Sequence, residues 1–210
     1  MNDFLTILQN EYPDAKIALD YENGFQLLVA VILSAQCTDE RVNKVTPSLF
    51  DKYPDAKAFS EADIEDIKKM IFSTGFYNNK AKNILAASKI VVSEFGGEIP
   101  KTMNEMLIIP GVARKTANVV LSELYRVFEG ITVDTHVIRL AGRLGLVDDK
   151  LVKSKNAVKI EQELMKIVPK KYWGLFPHFL ILHGRNVCKA KKPNCKGCAL
   201  NKVCPSSGKV

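Results

Sequence analysis

The 210-residue sequence predicts an all-α fold built as two helical lobes. Apolar residues recur at helical spacing along nearly the whole chain. The single strand-like stretch, Ile131–Val133, is too short to found a sheet. A change of character near Glu129–Gly130, where a loop leads into Val133-Asp134-Thr135-His136, marks the crossing between the lobes.

Each element follows from a local pattern. Phe4, Leu5 and Leu8 share one face of a short first helix. Gly24–Ala35 is apolar almost all round, the mark of a helix buried in the centre of a protein. Arg41–Tyr53 reads as an amphipathic helix. Ser60 with Asp63, and Thr102 with Glu105, have the spacing of capping boxes and predict helix starts. Asn79–Phe95 keeps Ile84, Leu85, Ile90 and Val91 on helical spacing and stops at Gly96-Gly97, a C-cap. Further helices are expected at Ala113–Arg126, Thr135–Gly145, Lys155–Val168 and Tyr172–Asn186.

Composition narrows the class. Hydrophobic residues make up 47% and charged residues 25%, as in ordinary globular chains. The longest apolar run, Leu27–Leu33, falls well short of the roughly 18 residues a membrane helix needs. Met1–Tyr12 lacks the basic lead and apolar run of a signal peptide, so an intracellular protein is expected. Thirty Lys+Arg against 23 Asp+Glu give a net charge of +7, which favours a polyanionic partner. The surplus is concentrated after Cys188, where Lys189, Lys191, Lys192, Lys196, Lys202 and Lys209 occur with no acidic residue. This segment reads either as a solvated tail or as a phosphate-facing surface, with Lys191 and Lys192 as candidate contacts. Its cysteines favour the second.

Those cysteines, Cys188, Cys195, Cys198 and Cys204, form C-x6-C-x2-C-x5-C, with Pro193, Gly197 and Pro205 supplying turns. Four thiolates this close suit tetrahedral zinc or a cubane iron–sulfur cluster. Two disulfides are the alternative, of little use to an intracellular chain of this length. The upstream Cys37 reads as a buried thiol.

Residues Ile109–Asn118 join a short capped helix to a longer one. Pro110 ends the first, and Gly111 permits the positive dihedral of a tight hairpin. Ala113, Arg114 and Lys115 then open a helix whose free amides suit a DNA phosphate bound without sequence readout. A plain helix–turn–helix corner with solvated Arg114 and Lys115 fits the local pattern equally well. Lys115 also has the makings of a nucleophile, since an amine attacks carbon only when unprotonated, and positive neighbours favour that state. Such chemistry needs a carboxylate, and Asp134 is the candidate. Taken alone, Asp134 reads first as a helix N-cap.

Together these features make the sequence resemble the endonuclease III family of DNA glycosylase/lyases. The motifs carrying the resemblance are Leu33-Ser34-Ala35-Gln36, Gly75-Phe76-Tyr77-Asn78, Ile109–Asn118, Val133-Asp134-Thr135-His136, His183-Gly184-Arg185 and the four-cysteine loop. They follow the family's order and span most of the chain. The resemblance implies a barrel domain with the helix–hairpin–helix at residues 20–128. A discontinuous cluster domain would comprise residues 1–19 and 129–210. DNA carrying damaged bases or abasic sites would lie in a cleft between them, with the target nucleotide extruded. Lys115 would be the nucleophile and Asp134 its partner. Cys188, Cys195, Cys198 and Cys204 would hold a [4Fe-4S] cluster.

Gln36 would fill the gap left by the extruded base, and Phe76 would wedge beside it, in place of the family's frequent leucine. Gly111, Ala113 and Arg114 would meet phosphate. Oxidised or ring-saturated pyrimidines are the implied substrates, cleaved by a cytoplasmic, nucleoid-associated monomer. Two departures stand out. Ala113 replaces the second glycine of the usual Gly-Val-Gly, and would weaken phosphate binding if that position needs a positive dihedral. The loop between Lys115 and Asp134 is also about one residue longer than in the best-known relatives. Rivals are a mismatch adenine or thymine glycosylase, which lacks the lysine, and a non-catalytic helix–hairpin–helix module with a structural zinc.

Overall fold

A computed structural model describes residues 3–209 of the chain. In order, the helices are α1 (Asp3–Glu11), α2 (Gly24–Ser34), α3 (Asp39–Lys52), α4 (Ala56–Ser60), α5 (Ile64–Ile71) and α6 (Tyr77–Phe95), followed by α7 (Met103–Leu107), α8 (Arg114–Tyr125), α9 (Thr135–Arg143), α10 (Asp149–Ser154), α11 (Ala157–Ile167) and α12 (Leu175–Asn186). Single 3-10 turns occupy Phe72–Thr74 and Lys170–Tyr172. Among the described residues there is no strand, and Ile131–Val133 is irregular chain. With no partner strand nearby in sequence, its β-branched residues instead bury against a helical core. Ile131 is 1% exposed.

The chain divides into two units, Ala18–Val127 and Met1–Ile17 with Phe128–Val210. The first is organised around α2, whose residues from Phe25 to Leu33 are all buried. An apolar helix buried on every side must be surrounded, and α3, α6 and α8 all pack on it. Burying a single Leu or Ile contributes about 1.5–3 kcal/mol, so this helix anchors the unit. Asn23 caps it by accepting from Gln26 N. The buried Gln26 side chain in turn accepts from Glu22 N and donates to the Pro54 carbonyl.

In the second unit, Leu5 and Leu8 of α1 are buried with Val137 and Leu140 of α9, Ile160 and Leu164 of α11, and Phe176, Phe179 and Leu180 of α12. Gly184 lets α9 and α12 approach, for a Cβ there would lie 2.7 Å from Arg139 Nη2 and 2.9 Å from His136 Cδ2.

Several boundaries differ from the sequence expectation. Asp63, not Ser60, caps α5, accepting from Glu65 N. Ser60 ends α4 and donates to the Lys57 carbonyl. The expected helix at Lys155–Val168 is two elements. Lys155 closes α10 in the left-handed region at φ 52°, and Asn156 caps α11 by accepting from Lys159 N. The expected helix at Tyr172–Asn186 starts at Leu175, after the 3-10 turn. Thr102 does cap α7, accepting from Glu105 N, but its hydroxyl also donates to the Glu105 carboxylate.

Candidate active site and cysteine loop

The hairpin between α7 and α8 takes its shape from burial and one glycine. Met106, Ile109 and Val112 are buried, and Val112 N donates to the Ile109 carbonyl at 3.1 Å. Gly111 has φ 81°, and a Cβ there would sit 2.7 Å from Asn83 Cβ. Conformation and space therefore both require glycine. Ala113 is the N-cap of α8 at φ −90°, ψ 168°. This is ordinary extended backbone, so the strain expected from replacing a glycine does not arise. The N-cap residue gives α8 no side-chain bond, and a helix start of this kind favours an anion. Arg114 and Lys115, the first two residues of that helix, are both exposed, as are Gly111 and Ala113.

Gln36 and Phe76 belong to the same unit, and both sit in left-handed backbone, at φ 53° and 49°. Gln36 follows the C-terminal end of α2 and is exposed. Phe76 precedes α6, after Gly75 at φ 70°, and is 62% exposed. Left-handed geometry costs a non-glycine residue roughly 1–2 kcal/mol and persists only where the surroundings impose it. Among the described residues five non-glycine ones lie in this region, and of these Arg126 and Lys155 are helix C-caps. The other three are Gln36, Phe76 and Lys192, all predicted to meet DNA.

In the other unit Asp134 caps α9. Its Oδ1 accepts from His136 N and Val137 N, both at 2.8 Å, while Oδ2 lies 3.3 Å from His136 Nδ1. The capping expectation is met, and the Asp134 side chain keeps 22% exposure.

The four C-terminal cysteines carry no disulfide and line one cavity, together with Leu140, Arg143, His183 and Leu200. Among the described residues no three Cys, His, Asp or Glu side chains close up as a metal-binding set. The thiols thus share a cavity without meeting at a point. Arg143 Nη1 donates to Cys188 Sγ at 3.2 Å, and the same guanidinium reaches the carbonyls of Lys189 and Ala190 at 2.8 and 3.1 Å. Arg139 Nη2 donates to the carbonyls of Gly184 and Cys188.

His183 Nε2 lies 3.3 Å from Cys198 Sγ, and its Nδ1 is 3.0 Å from the Tyr12 hydroxyl. Burial, with Glu11 and Cys198 adding to it, pushes the Tyr12 phenol up to about 12. Burial also lowers the His183 pKa, against an opposing pull from Glu11. The two ring nitrogens of His183 thus lie between the Tyr12 hydroxyl and the Cys198 sulfur. Burial raises the Cys198 thiol against the opposing backbone hydrogen bond of Leu200, and the other three cysteines add to the rise. Four sulfurs around one cavity, with Arg143 donating to Cys188 Sγ and His183 Nε2 beside Cys198 Sγ, suit a metal centre. Lys191 and Lys192 are exposed on the same loop.

Sequence reasoning missed the clamps. Arg139 and Arg143 are four residues apart on one face of α9, a spacing that marks a shared partner. The partner was a loop with no periodicity to reveal it. It also missed Lys80, which is 4% exposed.

Comparison with known proteins agrees with this arrangement. Residues 29–170 match the model of the HhH-GPD superfamily base excision DNA repair proteins. Endonuclease III of Synechocystis is 53% identical over 205 residues, covering 98% of this chain and 91% of the relative. A solved non-covalent endonuclease III–DNA complex is 41% identical, covers 98% of this chain and 94% of the other, and superimposes with a TM-score of 0.89. A trapped covalent endonuclease III–DNA intermediate has the same identity and coverage, with a TM-score of 0.88. The chain belongs to the endonuclease III family, within the HhH-GPD superfamily of base excision DNA repair proteins.

Proposed function

We propose that the protein removes oxidised or ring-saturated pyrimidines from duplex DNA and cuts the strand at the abasic site, with Lys115 as nucleophile. The observation that carries this is Lys115 itself, an exposed amine in the first turn of an uncapped helix. The chain around it is 41% identical to an enzyme trapped covalently on DNA.

The hairpin amides from Gly111 to Ala113 and the start of α8 hold one phosphate, and Arg114 adds charge. Gln36 and Phe76 take the space of the extruded nucleotide. The Lys115 amine, shielded from water by bound DNA, donates its lone pair to the anomeric carbon as the bond to the base breaks and the base departs with that electron pair. Asp134, held by two amides of α9, stabilises the positive charge that develops on the sugar and accepts the proton released from the amine. Ring opening leaves a Schiff base, which acidifies the adjacent C2′ position. Loss of that proton and of the 3′ phosphate then breaks the C3′–O bond, a β-elimination.

Residues 20–128 form the barrel domain in this scheme, and residues 1–19 with 129–210 the cluster domain. Cys188, Cys195, Cys198 and Cys204 hold a [4Fe-4S] cluster, which when bound supplies a rigid core for the loop bearing Lys191 and Lys192. A monomer acting on chromosomal DNA inside the cell is the matching biological unit.

Borohydride reduction in the presence of DNA containing an abasic site tests the nucleophile. Wild type is expected to form a covalent adduct, and Lys115→Ala to lose at least about a thousandfold in adduct yield and strand cleavage. An unaltered yield with Lys115→Ala contradicts the assignment.

A further inference from the structure

Lys80 lies in the first turn of α6, yet only 4% of it is exposed. Its ammonium donates to the Leu33 carbonyl at 2.8 Å and to the Thr74 carbonyl at 2.9 Å. Leu33 belongs to the last turn of α2, whose terminal carbonyls lack helical partners and carry the negative end of the helix dipole. Thr74, itself 2% exposed, ends the 3-10 turn at Phe72–Thr74. Three residues beyond Leu33 stands Gln36, and two beyond Thr74 stands Phe76. Both are exposed and held in the left-handed region that favours glycine. One buried cation therefore ties together the two backbone segments that present these side chains.

A lysine reaching inward from a helix start is unusual, because burial works against its charge and lowers its pKa, with only Cys37 acting the other way. A methionine would fill the same volume without that penalty. What methionine cannot supply is the donor that two carbonyls from separate segments share. We propose that Lys80 is a positioning residue for base extrusion, fixing the Gln36 and Phe76 loops relative to one another so that both side chains enter the duplex together. This rests on the glycosylase/lyase function proposed above and assigns Lys80 no contact with DNA.

The test compares two substrates. A duplex carrying an oxidised pyrimidine requires extrusion and gap filling. A single-stranded oligonucleotide with an abasic site requires only the Lys115 chemistry. In Lys80→Met, excision from the duplex is expected to fall by about 10–100-fold, while borohydride trapping on the single strand changes by less than about threefold. In a Gln36→Ala/Phe76→Ala background, adding Lys80→Met is expected to cost the duplex reaction less than about twofold further, because its effect runs through those side chains.

Parallel losses on both substrates, or a full multiplicative loss in that background, overturn the proposal and leave Lys80 a support of the fold. Should Lys80→Met not fold, Lys80→Gln, whose amide can still donate to one carbonyl, is read by the same outcomes. A wild type inactive on both substrates would sink the lyase function and this assignment with it. An active wild type with parallel losses sinks this assignment alone.

Discussion

The hairpin and the cysteine loop reach their shapes by opposite routes. In the hairpin the backbone does the work. Met106, Ile109, Val112 and Ala117 are buried, Gly111 takes the one left-handed turn, and α7 and α8 run straight from it. From Cys188 to Lys209, only Leu200 is buried, and the chain makes turns rather than helices. What holds this segment is side chains from elsewhere in its unit: the Arg139 and Arg143 guanidinium groups and the His183 imidazole. A segment that buries so little apolar surface cannot offset its ordering entropy alone. Four thiols around one cavity are the means to add a cross-link. The hairpin should therefore be formed whether or not metal is present, and the loop should not.

That contrast can be broken most directly by removing the proposed cluster. Oxidative stripping of iron is expected to raise proteolytic cleavage within residues 189–209 by about a few hundredfold or more, with amide exchange in α7 and α8 unchanged. Equal loosening of both regions would erase the distinction.

Next in size is Gly111→Val, which meets both the left-handed dihedral and the Asn83 side chain. About 2–3 kcal/mol of lost stability is expected in urea unfolding, with proteolysis of the loop unaffected. Ala113→Gly, two residues on, should stay within about 0.5 kcal/mol, since Ala113 is extended and under no strain.

Below the Gly111 effect lies Arg143→Met, which deletes the bonds to Cys188 Sγ and to the carbonyls of Lys189 and Ala190. Local opening of the loop should become easier by about 1–2 kcal/mol in limited proteolysis, leaving the hairpin alone. No change in cleavage would mean that the clamp is incidental.

The same contrast explains what was legible in the sequence. The buried α2 was readable because apolar residues on every face have a single structural meaning, and the hairpin because Pro110 fixes the backbone and Gly111 admits the turn locally. Asp134 was readable as a cap for the same reason, its partners being two and three residues away. Ser60 misled because Asp63, a better cap, stands three residues later and takes the role. Ile131–Val133 looked like strand from β-branching alone, but strand formation depends on a partner that this chain lacks among its described residues. Lys80 could not be found at all. Its acceptors are backbone carbonyls 47 and six residues away, and a carbonyl has no sequence signature. Its neighbours Asn78, Asn79 and Lys82 made the stretch read as a solvated helix start.

The most direct test of the central claim is to locate the covalent bond. Wild-type protein reduced with borohydride on DNA bearing an abasic site is digested, and the DNA-linked peptide is identified by mass spectrometry. The adduct is predicted on the Lys115 side chain, with resistance to tryptic cleavage at that position. An adduct on any other lysine, or on the chain's terminal amine, would contradict the account.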